Sequence, residues 1–382
     1  MPELAEVERG RRLLEDAILH KRIVAVSVEE DPRVFVDDSA SILAKALPTR
    51  TVLAVKRRGK NIYLRLDGHG PTLAFHLGMT GSVAIKDGEF HYRRPRYIKR
   101  ISASWPPWRW KILLQLGDGT EVCTIDTSRF GRIRAVDAED AVSVPPLSLL
   151  ARDAWSDLPS AEDFRADLTC RTAPIKTVLL DQNAVVAGLG NYNVDEVLFH
   201  ARIHPRQPAY TLDMEQTIAL RSAIELVAAK VMDIDADTKK LPKTWLYKHR
   251  YGRKNGVGQA FTMEDGTSTQ VTHDRINGRI TAITSVQVLG DYSNIPLPAR
   301  RKKTVVDPED QETDSLEDSN LQDTPNVLDD GHDFAEPTRK RRKVVKASRP
   351  AQIVVADAAP ESTPLRRSQR QVKKVARNQM TR

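Results

Sequence analysis

Leu180-Asp181-Gln182-Asn183-Ala184-Val185-Val186-Ala187-Gly188-Leu189-Gly190-Asn191-Tyr192-Asn193-Val194-Asp195-Glu196 is the stretch on which the fold turns. A helix ends near Asp181, an apolar run leads into two glycines that permit a tight turn, and Asn191 stands where the next helix begins. Free amides at a helix start, with an asparagine side chain among them, make a ready phosphate site. An ordinary N-cap would use the same residues. Further along, Leu220, Ile224, Val227 and Val231 recur at helical spacing, so residues 150–240 are read as a helical domain.

Outward from that domain the texture changes on both sides. Residues from Lys243 to Gln287 return to short strands punctuated by Gly256, Gly258, Gly266 and Gly278, which predicts a β-hairpin over residues 241–290. Upstream, Asn61 to Leu66, Thr72 to Leu77, Lys111 to Leu116 and Glu121 to Ile125 are short, apolar and separated by glycine turns. That rhythm predicts a β-sandwich or barrel-like domain over residues 1–136, entered through a helix at residues 4 to 19 whose Leu4, Val7, Leu14 and Ile18 share one face. Glu89 to Trp110, with Tyr-Arg-Arg-Pro-Arg and Trp-Pro-Pro-Trp, breaks the rhythm and is read as an inserted loop. The fold class is thus α+β. Residues 291–382 lose the core-forming pattern, mainly acidic and polar over 307–336 and basic from Arg339, and are read as a disordered charged tail.

Composition sets the boundaries of function. The chain has 382 residues, a formal charge of +8 and a pI near 9.4, which suits a polyanionic partner. Cys123 and Cys170 are its only cysteines, so a disulfide framework and a cysteine-rich zinc site are both ruled out, and a reducing compartment is expected. No apolar run approaches the roughly 20 residues that span a bilayer. A soluble, intracellular monomer is expected.

The chemistry begins at Met1-Pro2-Glu3-Leu4-Ala5-Glu6-Val7-Glu8. Trimming of Met1 would leave Pro2 as a secondary amine. An α-amino group titrates at about 8 against about 10.4 for lysine, so near neutrality part of it is free to attack an electrophilic carbon. On a sugar the product is an iminium, an electron sink, and Glu3 stands where it could exchange a proton with the same sugar. Pro2 is equally at home as a helix starter. Lys56-Arg57-Arg58-Gly59-Lys60 lies between strands, either as a solvated turn or as a means of presenting Lys60 to a phosphate or reacting base. In His76-Leu77-Gly78-Met79-Thr80-Gly81 the glycines put Met79 on a projecting tip, and Asp126-Thr127-Ser128-Arg129-Phe130-Gly131 sets an aromatic beside a cation at a strand end. Apolar tips can wedge into a DNA stack, although Phe130 would also serve as core.

Taken in order, Pro-Glu-Leu-Ala-Glu-Val-Glu, Arg-Arg-Gly-Lys, His-Leu-Gly-Met-Thr-Gly, Ser-Arg-Phe-Gly, Gly-Leu-Gly-Asn and Tyr251-Gly252-Arg253-Lys254 resemble the formamidopyrimidine-DNA glycosylase family, which also contains endonuclease VIII. The resemblance covers roughly residues 2 to 290. It implies Pro2 as nucleophile, Glu3 as proton donor to the deoxyribose ring oxygen and Lys60 as the lysine at the lesion and its flanking phosphate. Glu6 would line the same pocket, and Met79 and Phe130 would fill the void left by a flipped nucleotide. Arg129 and Asn191 match phosphate contacts, with Asn191 in a helix-two-turn-helix; His76, Tyr251 and Arg253 belong to the DNA-facing motifs.

Two departures stand out. Ser128 occupies the place of the family's arginine that reads the base opposite the lesion, and a serine cannot make that forked contact. Residues 251–287 contain no cysteine, so the finger resembles the zincless type of plant and fungal members, with Arg279 as its phosphate-gripping arginine and only packing and ladder bonds to hold it. The implied activity is removal of oxidised purines from damaged double-stranded DNA, by Schiff base and β,δ-elimination, without cofactor or metal. A damage-binding or chromatin protein that has lost the chemistry is the alternative. The cluster Arg339-Lys340-Arg341-Arg342-Lys343 reads as a nuclear-import signal, a DNA-binding patch or solvated charge, and the tail as a docking segment for repair proteins.

Overall fold

The computed structural model describes residues 2–88, 91, 104–138, 140–250 and 260–298, and the backbone of 352–355. Helix α1 (Leu4–Ile18) opens the chain and belongs to two cores at once. Leu4 and Ala5 are buried among Ile175, Leu189 and Val194 of the helical domain, whereas Val7, Leu14 and Ile18 are buried in the sandwich. Each such aliphatic side chain contributes about 2 kcal/mol. The surface pairs of Arg11 with Glu8 and Glu15 add only a few tenths each, so the apolar stripe decides where the helix lies.

The sandwich is two antiparallel sheets. Strands β1 (Ile23–Val28), β6 (Trp110–Leu116), β7 (Glu121–Ile125) and β5 (Ser82–Ile85) are neighbours in one sheet. In the other, β2 (Val52–Arg58), β3 (Asn61–Leu66), β4 (Thr72–His76) and β8 (Arg132–Val136) follow in that order. Val26, Ile112, Leu114 and Val122 from the first face Val55, Ile62, Leu64 and Phe75 from the second across the core, with α2 (Ser39–Ala46) closing one side. Register sets one end of the second sheet for function. Arg58 pairs with Asn61 across the Gly59-Lys60 turn, Asn61 with His76, and His76 with Arg132.

The helical domain holds α3 (Ala161–Thr169), α4 (Ile175–Leu180), α5 (Asn191–His200) and α6 (Met214–Asp233). Its α4–turn–α5 unit matches the helix, glycine turn and helix expected from the sequence. The finger is β9 (Ala260–Thr262), β10 (Ser268–Ile276) and β11 (Arg279–Thr284). Its tip is Asn277-Gly278 with φ of 47° and 74°, the pair of left-handed residues that a two-residue hairpin turn demands.

One short stretch departs from the expected tail. Past Gly290 the sequence predicts no structure, yet β12 (Gln352–Val355) adds to the edge of the first sheet, pairing Val28 with Gln352 and Ala25 with Val355. An Ile-Val-Val run suits a strand, and β1 offers the open edge that such a segment covers. The remainder of the tail from 299, the basic cluster at 339–343 included, lies outside the described residues, as do Tyr251 and Arg253.

Candidate active site and DNA interface

Pro2 is buried at the junction of the two domains, where α1 begins. Glu3 beside it is 1% exposed, and its carboxylate accepts hydrogen bonds from the backbone N–H groups of Tyr192 and Asn193, each at 3.1 Å. Those amides are the free donors at the start of α5, so the helix positions a carboxyl where a phosphate would otherwise be welcome. Gly190 explains the close fit: a Cβ there would overlap Cγ, Cδ and Oε1 of Glu3. Its φ of −117° suits any residue, so the glycine is required by space and not by backbone conformation. Gly188 is constrained both ways, with φ +109° and a Cβ that would lie 2.6 Å from Cδ1 of Leu4.

Burial pushes the Glu3 carboxyl up to about 7 against the pull of the Lys60 ammonium; the Glu6 carboxyl adds to the rise, and the two helix amides oppose it. A group so poised is half protonated near neutrality and can give or take a proton. Glu6 Oε2 accepts the Glu3 backbone N–H at 3.0 Å, and the Tyr192 hydroxyl donates to the same carboxylate at 2.9 and 3.0 Å. Burial raises Glu6 too, and raises the Tyr192 phenol well above its ordinary value. The phenol therefore stays a donor. Tyr192, edge-on to Tyr247 at 5.3 Å, was not legible as a site residue, since its neighbour Asn191 carried the whole motif signal.

Lys60, 8% exposed, sits at the β2–β3 turn. The turn is anchored through Asp153, whose carboxylate accepts from the Gly59 N–H at 2.9 Å and from both terminal nitrogens of Arg57 at 2.5 and 2.8 Å. Arg57 also donates to Glu8 of α1 at 3.1 Å. Burial works against the Asp153 carboxylate, but the Arg57 guanidinium holds it below the usual range. Arg57 is thus a brace for Lys60 and not a solvated cation of the turn.

Asn191 is the first residue of α5, not its cap; the cap is Gly190. Its side-chain amide donates to the Ile280 carbonyl at 3.0 Å and so ties α5 to the finger strand that carries Arg279. Arg279 is exposed at the start of β11. Packing and ladder bonds are not all that hold this finger. Asp195 accepts from Lys176 Nζ at 2.6 Å, from the Ala282 N–H at 3.0 Å and from Arg250, while Lys176 also donates to the Thr281 hydroxyl at 2.7 Å and Arg250 to the Ile280 carbonyl at 3.2 Å. All three charged residues are buried. Burial pushes the Lys176 ammonium down to about 8 although Asp195 pulls it up.

Met79 and Phe130 project side by side, 39% and 40% exposed, so Phe130 is a tip and not core. Gly78, at φ +61°, lets the two loops meet, for a Cβ there would overlap the backbone of Phe130 and Gly131. His76 Nδ1 accepts the Gly78 N–H at 3.0 Å and braces the same turn. The Ser128 hydroxyl is turned inward, bonded to Asp126 at 2.9 Å and to Thr80 at 2.8 Å. Arg129 makes a forked pair with Asp31 at 2.8 and 2.7 Å. Burial raises the Asp31 carboxyl, but Arg129 and Lys111 together hold it at about 2.

A β-sandwich joined to a helix-two-turn-helix domain, with a carboxyl-lined N-terminus at their junction and apolar tips at one end, defines a DNA-repair class of architecture. Sequence profiles agree: the formamidopyrimidine-DNA glycosylase N-terminal domain matches residues 1–133 and its H2TH domain residues 150–242. The formamidopyrimidine-DNA glycosylase of Arabidopsis thaliana is 36% identical over 68% of this chain, which spans 65% of that protein's length. Its counterpart from Chloroflexus aggregans is 33% identical over 69% of this chain and 88% of its own. The Lactococcus lactis enzyme, solved non-covalently bound to DNA containing an abasic site, shares the fold with a TM-score of 0.59 at 24% identity, over 75% of this chain and 99% of its own. This chain belongs to the formamidopyrimidine-DNA glycosylase family, enzymes of base excision repair.

Proposed function

We propose that the chain is a bifunctional DNA glycosylase and abasic-site lyase acting on oxidised purines. The observation that carries this reading is the Glu3 carboxyl, buried beside Pro2, poised near neutrality and facing the charge of Lys60. In this scheme the Pro2 amine, freed by removal of Met1, attacks C1′ of the everted nucleotide while Glu3 gives its proton to the ring oxygen. The C1′–N bond breaks, the base leaves with its electron pair and takes up the proton lost by the amine, and the C1′–O4′ bond then opens onto the proton from Glu3 as the nitrogen lone pair closes the C1′=N⁺ bond to Pro2. The resulting iminium withdraws electrons from the sugar, so a proton is lost from C2′ and the 3′ C–O bond breaks, followed by the same elimination on the 5′ side. Lys60 holds the flanking phosphate, Asn191 and Arg279 the kinked backbone, and Met79 and Phe130 fill the gap in the stack.

With Ser128 committed to Asp126 and Thr80, no side chain from that position reads the opposite base, and excision opposite all four bases is expected to vary little. The chain is proposed to work as a monomer in the nucleus, its basic tail serving import and the docking of repair partners; a fluorescent fusion of residues 337–382 tests the import.

Borohydride trapping on duplex DNA with a formamidopyrimidine or an abasic site decides the central claim. The wild type should give a covalent adduct, lost in Pro2→Gly and in a form retaining Met1. Adducts of equal yield in all three would overturn it; binding without any adduct in the wild type would leave a damage-binding protein.

A further inference from the structure

Trp108 and Arg109 lie at the base of the inserted loop, just before β6, and no role in the scheme above uses them. Topology puts them beside the apolar tips. The first residue of β5, Ser82, pairs with Ile125 at the end of β7, and Ile125 pairs in turn with Trp110 at the start of β6. The Met79 loop, the Phe130 loop and the Trp108-Arg109 segment therefore emerge from one end of one sheet. The contact is direct, since the Arg109 carbonyl accepts the backbone N–H of Asp126 at 3.0 Å, and Asp126 is the residue that holds the Phe130 loop through Ser128 and Gly131.

Three features set the pair apart from ordinary surface. Trp108 is 46% exposed, more than either Met79 or Phe130. Arg109 holds φ +67°, a left-handed conformation that costs a non-glycine residue and fixes the direction of its side chain. Its Cζ lies over the Trp108 ring, 5.1 Å from the centroid, making a cation–π pair. Arg129 of the Phe130 loop is neutralised by Asp31, whereas Arg109 has no carboxylate partner among the described residues and its buried Nε lacks a hydrogen-bond acceptor.

We propose that Trp108 and Arg109 form a further element of the DNA interface, with Arg109 on a backbone phosphate and the Trp108 ring against the sugar and base next to the Met79 and Phe130 wedge. The proposal rests on the reading that the duplex kinks over those tips. A guanidinium supplies the anion contact, an indole face the stacking, and the pair extends an interface that has already lost one cation to Ser128 and had another, Arg129, paired internally.

Fluorescence anisotropy of the full chain on a labelled duplex carrying a tetrahydrofuran abasic analogue tests it. Trp108→Ala and Arg109→Ala should each bind about five- to thirty-fold more weakly, and Arg109→Ala should lower the slope of log affinity against log salt by about 0.9. Trp108→Phe should recover most of the affinity and Arg109→Lys the slope. Should an alanine variant fold poorly, the conservative ones still decide: DNA should quench a component of tryptophan fluorescence that is missing from Trp108→Phe. Affinity within twofold of wild type in both alanine variants with an unchanged slope in Arg109→Ala, or quenching in Trp108→Phe identical to that of the wild type, overturns the proposal. Absence of borohydride adducts in the wild type would sink the catalytic reading alone, since this measurement needs no chemistry.

Discussion

At the scale of single residues, the junction turns on the space between Gly190 and Glu3. Alanine at 190 keeps an allowed backbone but its methyl must displace the Glu3 carboxyl from the start of α5. A misplacement of about an ångström at a reacting group costs on the order of 100-fold, so Gly190→Ala should cut single-turnover cleavage of abasic DNA by at least that factor. Unchanged cleavage would show that Glu3 is not held there for chemistry. The same carboxyl leaves a thermodynamic signature. Its folded-state pKa of about 7 lies above the ordinary 4.5, so its contribution to stability is complete below pH 4.5 and is lost as pH rises through 7. Relative to Glu3→Gln, which cannot titrate, the wild type should lose about 3 kcal/mol between those limits. Denaturant midpoints of both proteins across pH 4.5 to 7.5 measure this, and a pH-independent difference would refute the poised carboxyl.

At the scale of elements, the finger is fastened to the helical domain by buried charge. Lys176 of α4, Asp195 of α5 and Arg250 meet in the interior, and Asp195 reaches the finger's own backbone at Ala282. Removing the acid leaves two buried cations facing each other, a loss of about 3–5 kcal/mol. Asp195→Ala should therefore free the β10–β11 amides to exchange much faster than those of β3 and β4, and hydrogen exchange resolved by segment would show it. Equal protection in both places would mean that packing around Phe261 and Val271 suffices. The sequence discloses the finger's strands, because glycines such as Gly266 and Gly278 punctuate them, and it discloses α1 through its apolar spacing. It does not disclose the fastener. Lys176, Asp195 and Arg250 lie far apart along the chain, and a charged residue in a helix looks the same whether it faces water or another charge. Tyr192 and Asp153 stay hidden for the same reason: their roles exist only once distant segments meet. The glycines at 78 and 190 are visible, but as turn residues, whereas in the fold they serve close approach.

At the scale of the molecule, two connections make the sandwich and the helical domain act as one body around Pro2. The first is α1, with an apolar end in each core. The second is Asp153, near the start of the helical domain, which clasps Arg57 and the Gly59 amide and thereby fixes the turn that carries Lys60. Glu3 is held by the amides that start α5 and Lys60 by a turn of the sandwich, so their juxtaposition depends on the second clasp as well as the first. Asp153→Ala leaves the buried Arg57 guanidinium with Glu8 as its one remaining anionic partner and the Gly59 N–H unbonded, a cost of about 3 kcal/mol borne at the junction. Calorimetry should then show one unfolding transition in the wild type and two in Asp153→Ala, with cleavage of abasic DNA falling while each domain keeps its own melting. The pair Arg57→Met with Asp153→Leu, which removes both charges, should regain much of the thermal stability, because an apolar pair of similar volume replaces a buried ion pair at little loss. It should not regain activity, since the Gly59 amide still lacks its acceptor and Lys60 its fixed position. A double variant as active as the wild type would show that the clasp serves stability alone.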